Sequence, residues 1–307
     1  MEYQEFLCAV ERELNKKLKE GVRATIYVSQ KNNGKEKKGI LFQSKELRAS
    51  PAIYLEGLYG RFRQGEAMDC LIREIQEFYE AIEGREIYDY RLLQEFDRVK
   101  DKIVLKVIHT KKNEKLLESI PFIEVLDLAI VFYVLLEVDK AGSATVQISR
   151  EYLEMWGITK EELHQLAIKN SAILLPAEFF TMEQAIEKML DADSGEEENL
   201  LKRADRSEDD VMYVLTNSLR NYGAACLCYP HVLYMIGEML EEDFFILPSS
   251  VHEVIIVPES KGLDTEEMNE MIVEINETQV APEEVLSNHV YFYERNEGKL
   301  ISGTSIE

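Results

Sequence analysis

Residues Asn221–Pro258 read NYGAACLCYPHVLYMIGEMLEEDFFILPSSVHEVIIVP, the densest block of buried-type residues in the chain. The small apolar segment Gly223–Tyr229 predicts a strand, and His231–Leu240 has the spacing of a helix. Two further apolar runs, Phe244–Leu247 and Val251–Val257, predict strands that meet at Pro248-Ser249-Ser250. Strands and helices that alternate irregularly, with turn residues between them, point to an α+β fold: a mixed or antiparallel sheet with helices packed on it.

The same signals extend outward from that block. Asp264-Thr265-Glu266-Glu267 caps a helix to about Asn276, Val290–Tyr293 predicts a last strand, and the polar tail after Gly298 reads as frayed. On the other side Val211–Thr216 predicts a strand. Residues 191–210, DADSGEEENLLKRADRSEDD, read as an acidic solvated linker. Thr159-Lys160-Glu161-Glu162 is a capping box opening a helix to about Leu174, and Thr181-Met182-Glu183-Gln184 repeats the device. Ser149 starts a helix that stops at Trp156-Gly157. Val125–Glu137 predicts a central strand with Asp127 inside it near its start, turning at Lys140-Ala141-Gly142 and returning through Thr145–Ile148. Ile103–Ile108 predicts another strand.

The first part of the chain differs in character. Tyr3, Phe6, Leu7, Val10, Leu14 and Leu18 form one helical stripe. Val22–Ser29 and Gly39–Gln43 predict a hairpin around Asn32-Asn33-Gly34. Ser50-Pro51 opens a helical region, and Ala67–Ile82 makes a longer helix. Two lobes follow from this: residues 1–115, helices around a hairpin, and 116–307, the α+β body.

The chain has 307 residues, 46% apolar and 30% charged, which is globular composition. Its net charge of −23 is uneven: residues 1–115 hold 23 Lys+Arg against 20 Asp+Glu, and 116–307 hold 12 against 38. Phosphate is repelled by the acidic part, so direct nucleic-acid binding is not expected there. The asymmetry suits a dipolar molecule meeting a protein partner, or an acidic face that mimics nucleic acid. Lys31–Lys38 is the most basic short segment and reads as a solvated hairpin tip, or as a contact for phosphate or an acidic partner. The 15 tyrosines are scattered in chain order and do not interleave with a basic patch, so no stacking platform is predicted. The start Met-Glu-Tyr-Gln-Glu lacks the features of a signal peptide. The longest apolar run, Leu128–Leu136, falls well short of the ~20 residues of a membrane span. Cys8, Cys70, Cys226 and Cys228 form no C-x-x-C and read as reduced thiols, so a cytosolic protein is expected.

Two groups of residues carry possible chemistry. Ser249 or Ser250 on a strand corner could act as nucleophile, with His252 as base and Glu253 orienting it. Against this, residues 252 and 253 of a strand point to opposite faces, no G-x-S-x-G is present, and Pro-Ser turns use hydroxyls to satisfy backbone amides. Cys226, Cys228 and His231 form C-x-C-x-x-H, three possible zinc ligands, or else two packed core cysteines and a helix-start histidine. Glu161 and His164 form a surface pair one helical turn apart, and His109 and His289 have no evident partner. The chain has no P-loop, G-x-G-x-x-G or H-E-x-x-H, so no cofactor is expected.

The blocks WGITKEELHQLAIKNS at Trp156–Ser171, LTN at Leu215–Asn217, YGAACL at Tyr222–Leu227, DFFILPSSVHEVIIVP at Asp243–Pro258 and EINETQVAPEEVLSNHVYFY at Glu274–Tyr293 resemble one known family. It is an uncharacterised domain-of-unknown-function family of anaerobic Gram-positive bacteria. The order of a Trp-Gly helix pair, a small-residue segment and a Pro-Ser turn is also similar to the YtpQ family. The resemblance implies a bacterial cytosolic protein and transfers no catalytic residues. The resulting expectation is a non-catalytic binding or interaction protein. The alternatives are a hydrolase using Ser249, His252 and Glu253, and an acidic nucleic-acid-mimic regulator.

Overall fold

The computed structural model describes residues 1–43, 52–82, 91–139, 142–190, 199–202, 211–261 and 264–303. The expected linker between 191 and 210 falls mostly outside them, as do the helix start at Ser50-Pro51 and the Lys140-Ala141 turn. The fold is α+β, with three antiparallel sheets among the described residues. The chain divides into two compact units, Met1–Val99 with Leu136–Thr145, and Lys100–Leu135 with Val146–Glu307.

In the first unit α1 (Tyr3–Lys17) is followed by β1 (Arg23–Gln30), β2 (Glu36–Gln43), β3 (Ile53–Tyr54), α2 (Glu56–Arg63) and α3 (Met68–Ile82), then the short α4 (Arg91–Gln94) and α5 (Phe96–Val99). The α1 stripe Phe6, Leu7, Val10 and Leu14 is buried, because positions three and four apart share one helical face. It packs with Ala24, Ile40 and Phe42 of the β1–β2–β3 sheet and with Leu71, Ile72 and Ile75 of α3. Asn33 and Gly34 both take positive φ at the hairpin tip, as the Asn-Asn-Gly signal requires. Ile53, expected at the start of a helical region, lies instead in β3, paired with Ile40.

The second unit takes in β4 (Ile103–His109), α6 (Glu114–Leu117), β5 (Phe122–Val125), β6 (Leu128–Asp139), β7 (Gly142–Gln147), α7 (Arg150–Trp156) and α8 (Lys160–Leu174), except that the end of β6 and most of β7 fall within Leu136–Thr145 of the first unit. It continues with β8 (Ala177–Thr181), α9 (Met182–Leu190), β9 (Tyr213–Asn217), a 3-10 turn (Gly223–Cys228), α10 (Val232–Leu240), β10 (Phe244–Leu247), β11 (Val254–Pro258), α11 (Thr265–Thr278), β12 (Tyr291–Glu294) and β13 (Lys299–Ser302). Residues 100–115 belong here rather than with the first lobe, because β4 pairs with β6.

Two sheets organise this unit. One runs β4–β6–β5, with β7 on β6; the other runs β13–β12–β10–β11–β9–β8. The outer edge of β4 is satisfied by α8: Ser171 Oγ accepts from Leu105 N at 3.0 Å, and Asn170 Nδ2 donates to Lys100 O at 2.7 Å and Ile103 O at 3.0 Å. These buried polar residues explain why α8 is not a purely apolar stripe. On the six-stranded sheet, Phe245, Leu247, Val257 and Phe292 pack against Met268 and Ile272 of α11, spaced i,i+4.

Local signals hold where the chemistry is local. The Thr159–Glu162 capping box forms in both directions, Thr181 and Gln184 form the same reciprocal pair, and the Asp264 side chain accepts from Glu266 N. Non-local features differ from the sequence expectation. Asp127 is not inside a strand: it and Leu126 form the tight turn between β5 and β6, with Val125 opposite Leu128 and Leu126 at φ 57°. Within the tail expected to be frayed, Lys299–Ser302 form β13, paired with β12. β11 begins at Val254 rather than Val251, since residues 251–253 turn the corner instead. Gly223–Tyr229 is not a strand. A Cβ at Gly223 would lie 2.1 Å from Thr216 Oγ1 and 2.6 Å from Asn217 N, so the chain folds onto the end of β9 where only glycine fits.

Candidate functional site

The Pro-Ser corner is fastened to residues 284–287. Leu286 N donates to Ser249 O and Ser287 N to Pro248 O, both at 2.9 Å, and Ser250 bridges Val285. Ser249 is buried, and Ser250 Oγ accepts from the backbone N–H of His252 at 3.1 Å. The His252 ring turns elsewhere. Its Nδ1 accepts from Tyr222 N at 3.2 Å, its Nε2 lies 3.4 Å from Glu284 Oε1, and the ring packs on Tyr222 at 5.3 Å. Nδ1 is therefore the acceptor, and the proton sits on Nε2, directed at Glu284. Glu253 is exposed. Among the described residues no hydrogen bond joins the His252 imidazole to Ser249 or Ser250. A base held off its nucleophile cannot activate it, so these four residues do not assemble as a triad.

The three zinc candidates sit in unlike surroundings. Cys226 is buried and its Sγ donates to Thr216 O at 3.1 Å. Burial pushes its thiol well above the ordinary cysteine value, and desolvation pushes that of Cys228 up to about 12. Zinc binds the thiolate, which such burial opposes. His231 is exposed at the start of α10 with φ 66°. Among the described residues no cluster of three or more His, Cys, Asp or Glu is placed to hold a metal ion.

Cys228 and His231 nevertheless meet in one feature, a groove of about 550 Å³. Val125 and Ile130 come from the β5–β6 hairpin, and His164 and Ile168 from successive turns of α8. Leu227, Cys228 and Tyr229 enter from the 3-10 turn, and His231, Leu233 and Tyr234 from α10. Tyr293, Gly298 and Leu300 close it from β12–β13. None of these thirteen residues is Asp, Glu, Lys or Arg, in a chain that is 30% charged. His164 is not the surface partner of Glu161: its Nε2 is sequestered, with no hydrogen-bond partner among the described residues. Desolvation holds this imidazole below its ordinary value of 6.5 and so favours the neutral ring. Tyr229 is fixed by donating to Leu175 O at 3.1 Å, and Tyr234 at the rim is 51% exposed.

A family model described as a family of unknown function, DUF5688, matches residues 3–295. The chain belongs to DUF5688. No curated protein and no solved structure matches it. Among the described residues of this DUF5688 member, no helix is long and apolar enough to cross a membrane.

Two polar constellations of the DUF5688 chain escape a reading in chain order. Asp127 accepts from Ser287 Oγ at 2.7 Å and from the Tyr291 hydroxyl, and His109 Nε2 lies 3.7 Å from its Oδ2. His109 Nδ1 accepts from Lys112 N at 3.3 Å, so it too carries its proton on Nε2. On the face of the β4–β6–β5 sheet opposite Ile130 and the groove, Lys106 is 6% exposed. Its Nζ lies 3.9 Å from the ring centre of Tyr133 and 3.7 Å from that of Tyr222. Cation–π contact offsets part of the desolvation of the amine. Tyr222 reaches it from a loop in which Arg220 and Tyr222 both hold positive φ, so backbone strain is spent on presenting that ring. The nearest sequence signal for either group is Asp127, an acid in an apolar run.

Proposed function

We propose that this chain is a non-catalytic binding protein that takes an uncharged, largely apolar, ring-bearing ligand into the groove between α8, α10 and the β12–β13 hairpin. The observation that carries the reading is the absence of any charged side chain from a lining of thirteen residues. An ionic ligand would lose hydration there with no counter-charge in return. A neutral ligand gains apolar contact from Ile130, Ile168, Leu233 and Leu300, and ring contact from Tyr229, Tyr234 and Tyr293. The volume of about 550 Å³ falls in the usual range of small-molecule sites, about 300–1,000 Å³. The separation of His252 from both serines supports binding without chemistry.

A fluorescence titration of the full chain with Nile red, a neutral planar dye, tests the reading. Saturable binding is expected, weakened at least about tenfold by Ile168→Glu. Ile186→Glu, an equal charge change at a position 49% exposed and outside the lining, leaves it unchanged. No saturable binding, or equal effects of the two variants, overturns it.

A further inference from the structure

The three-stranded sheet of the first unit has one face in the core and one turned away. Ala24, Ile40 and Phe42 point inward, so the odd-numbered residues of β1 and β2 point outward. On that outer face Gly39 stands directly opposite Tyr27 on one side and Tyr54 on the other. The two phenols thus flank a glycine floor, two inter-strand spacings or about 10 Å apart. The floor must be glycine, because a Cβ at Gly39 would come within 2.7 Å of Ile53 O. Tyr27 is 42% exposed.

Basic side chains border this face. Arg23 and Lys37 lie on it, and no odd-numbered position of β1 or β2 is a carboxylate. Lys31 Nζ stands 4.0 Å from the ring centre of Tyr54 and donates to its hydroxyl. Residues 21–43 hold five Lys+Arg and a single Glu, within a chain of net charge −23. In chain order the tyrosines and lysines do not interleave; strand register brings them together.

We infer that the outer face of β1–β2–β3 binds single-stranded nucleic acid, with unstacked bases on Tyr27 and Tyr54 and phosphates beside Lys31, Lys37 and Arg23. The exposed ring of Tyr27 and the half-buried ring of Tyr54, bordered by cations, match the two faces of a single strand, apolar base and anionic backbone. A duplex hides its base faces and cannot use the tyrosines. An acidic polypeptide would satisfy the cations and leave the rings idle. The inference is independent of the groove, which lies in the other unit.

Fluorescence anisotropy of the full chain with fluorescein-labelled oligo-dT and oligo-rU, at about 50 mM salt and above, tests it. Saturable binding that weakens with salt is expected. Tyr27→Ala reduces affinity about five- to hundredfold and Tyr27→Phe preserves it. Lys37→Gln lowers the slope of log affinity against log salt by roughly 0.7. The DNA and RNA arms show whether the sugar matters; either one binding supports the inference. Absence of binding to both, equal affinity of Tyr27→Ala and the parent chain, or preferential binding of labelled polyglutamate overturns it.

Discussion

Asp127 Oδ2 accepts a 2.7 Å hydrogen bond from Ser287 Oγ, joining residues 160 positions apart in the second unit. The same carboxylate receives the Tyr291 hydroxyl and faces His109. The β5–β6 turn is thereby tied to the loop that also holds the Pro-Ser corner, since Ser287 N donates to Pro248 O. Ser287 is fully buried, so its hydroxyl has no water to fall back on.

Ser287→Ala is expected to destabilise the protein by about 1–3 kcal/mol, because it strips one donor from a part-buried carboxylate. The urea midpoint falls with the slope unchanged. Asp127→Asn places an amide where two hydroxyls donate and costs at least as much. A Ser287→Ala midpoint equal to that of the parent chain would mean that the contact contributes nothing.

Thiol reactivity separates the four cysteines. Cys8 and Cys70 are exposed, Cys226 is buried and Cys228 half-buried. Desolvation pushes the Cys228 thiol up to about 12 and so disfavours the reactive thiolate near neutral pH. Ellman's reagent is expected to titrate two thiols rapidly in the native chain and four in denaturant. A third fast thiol contradicts the burial of this segment.

Acid is expected to weaken the fold through two imidazoles before most carboxylates respond. Desolvation holds His109 and His164 below 6.5 in the folded chain. The unfolded chain then binds more protons, so their contribution is intact above about pH 6.5 and is lost as pH falls through that value toward the lowered ones. The carboxyls of Glu13, Glu66 and Glu162 are held below 4.5 by their partners, and their window lies lower. The urea midpoint is expected to fall between pH 7.5 and 5.5, and less so in His164→Gln. A flat midpoint over that interval contradicts the burial of these rings.

The parts of this fold legible in the sequence are those whose partners lie within a few residues. Thr159 with Glu162, Thr181 with Gln184, and the left-handed stop at Gly157 are set by backbone geometry inside one turn. The β1–β2 hairpin shows through its turn residues for the same reason. The small-residue segment at Gly223 deceives because an apolar run fits a strand or a buried turn equally. What decides it is the approach of Thr216 and His252, which no local pattern encodes. The six-stranded sheet recruits β8 and β13, each half polar, through register alone.

The candidate site follows the same rule. Cys228 and His231 stand out as chemical residues, yet their shared surroundings are mostly apolar and come from three other parts of the chain. His252 stands out for its neighbouring serines, but its partners are Tyr222 and Glu284, each about thirty residues away. His164 reads as a surface residue because the polar α8 sequence serves the edge of β4 and hides which face meets the groove.

The five histidines give the most direct test of the central claim, that the uncharged groove is the ligand site. Their imidazole resonances can be followed by NMR while the full chain is titrated with 2-naphthol, a neutral ring. Saturable shifts are predicted for His164 and His231, which line the groove, with His109, His252 and His289 unmoved. Shifts confined to those three, or none at His164 and His231 at saturation, would contradict it.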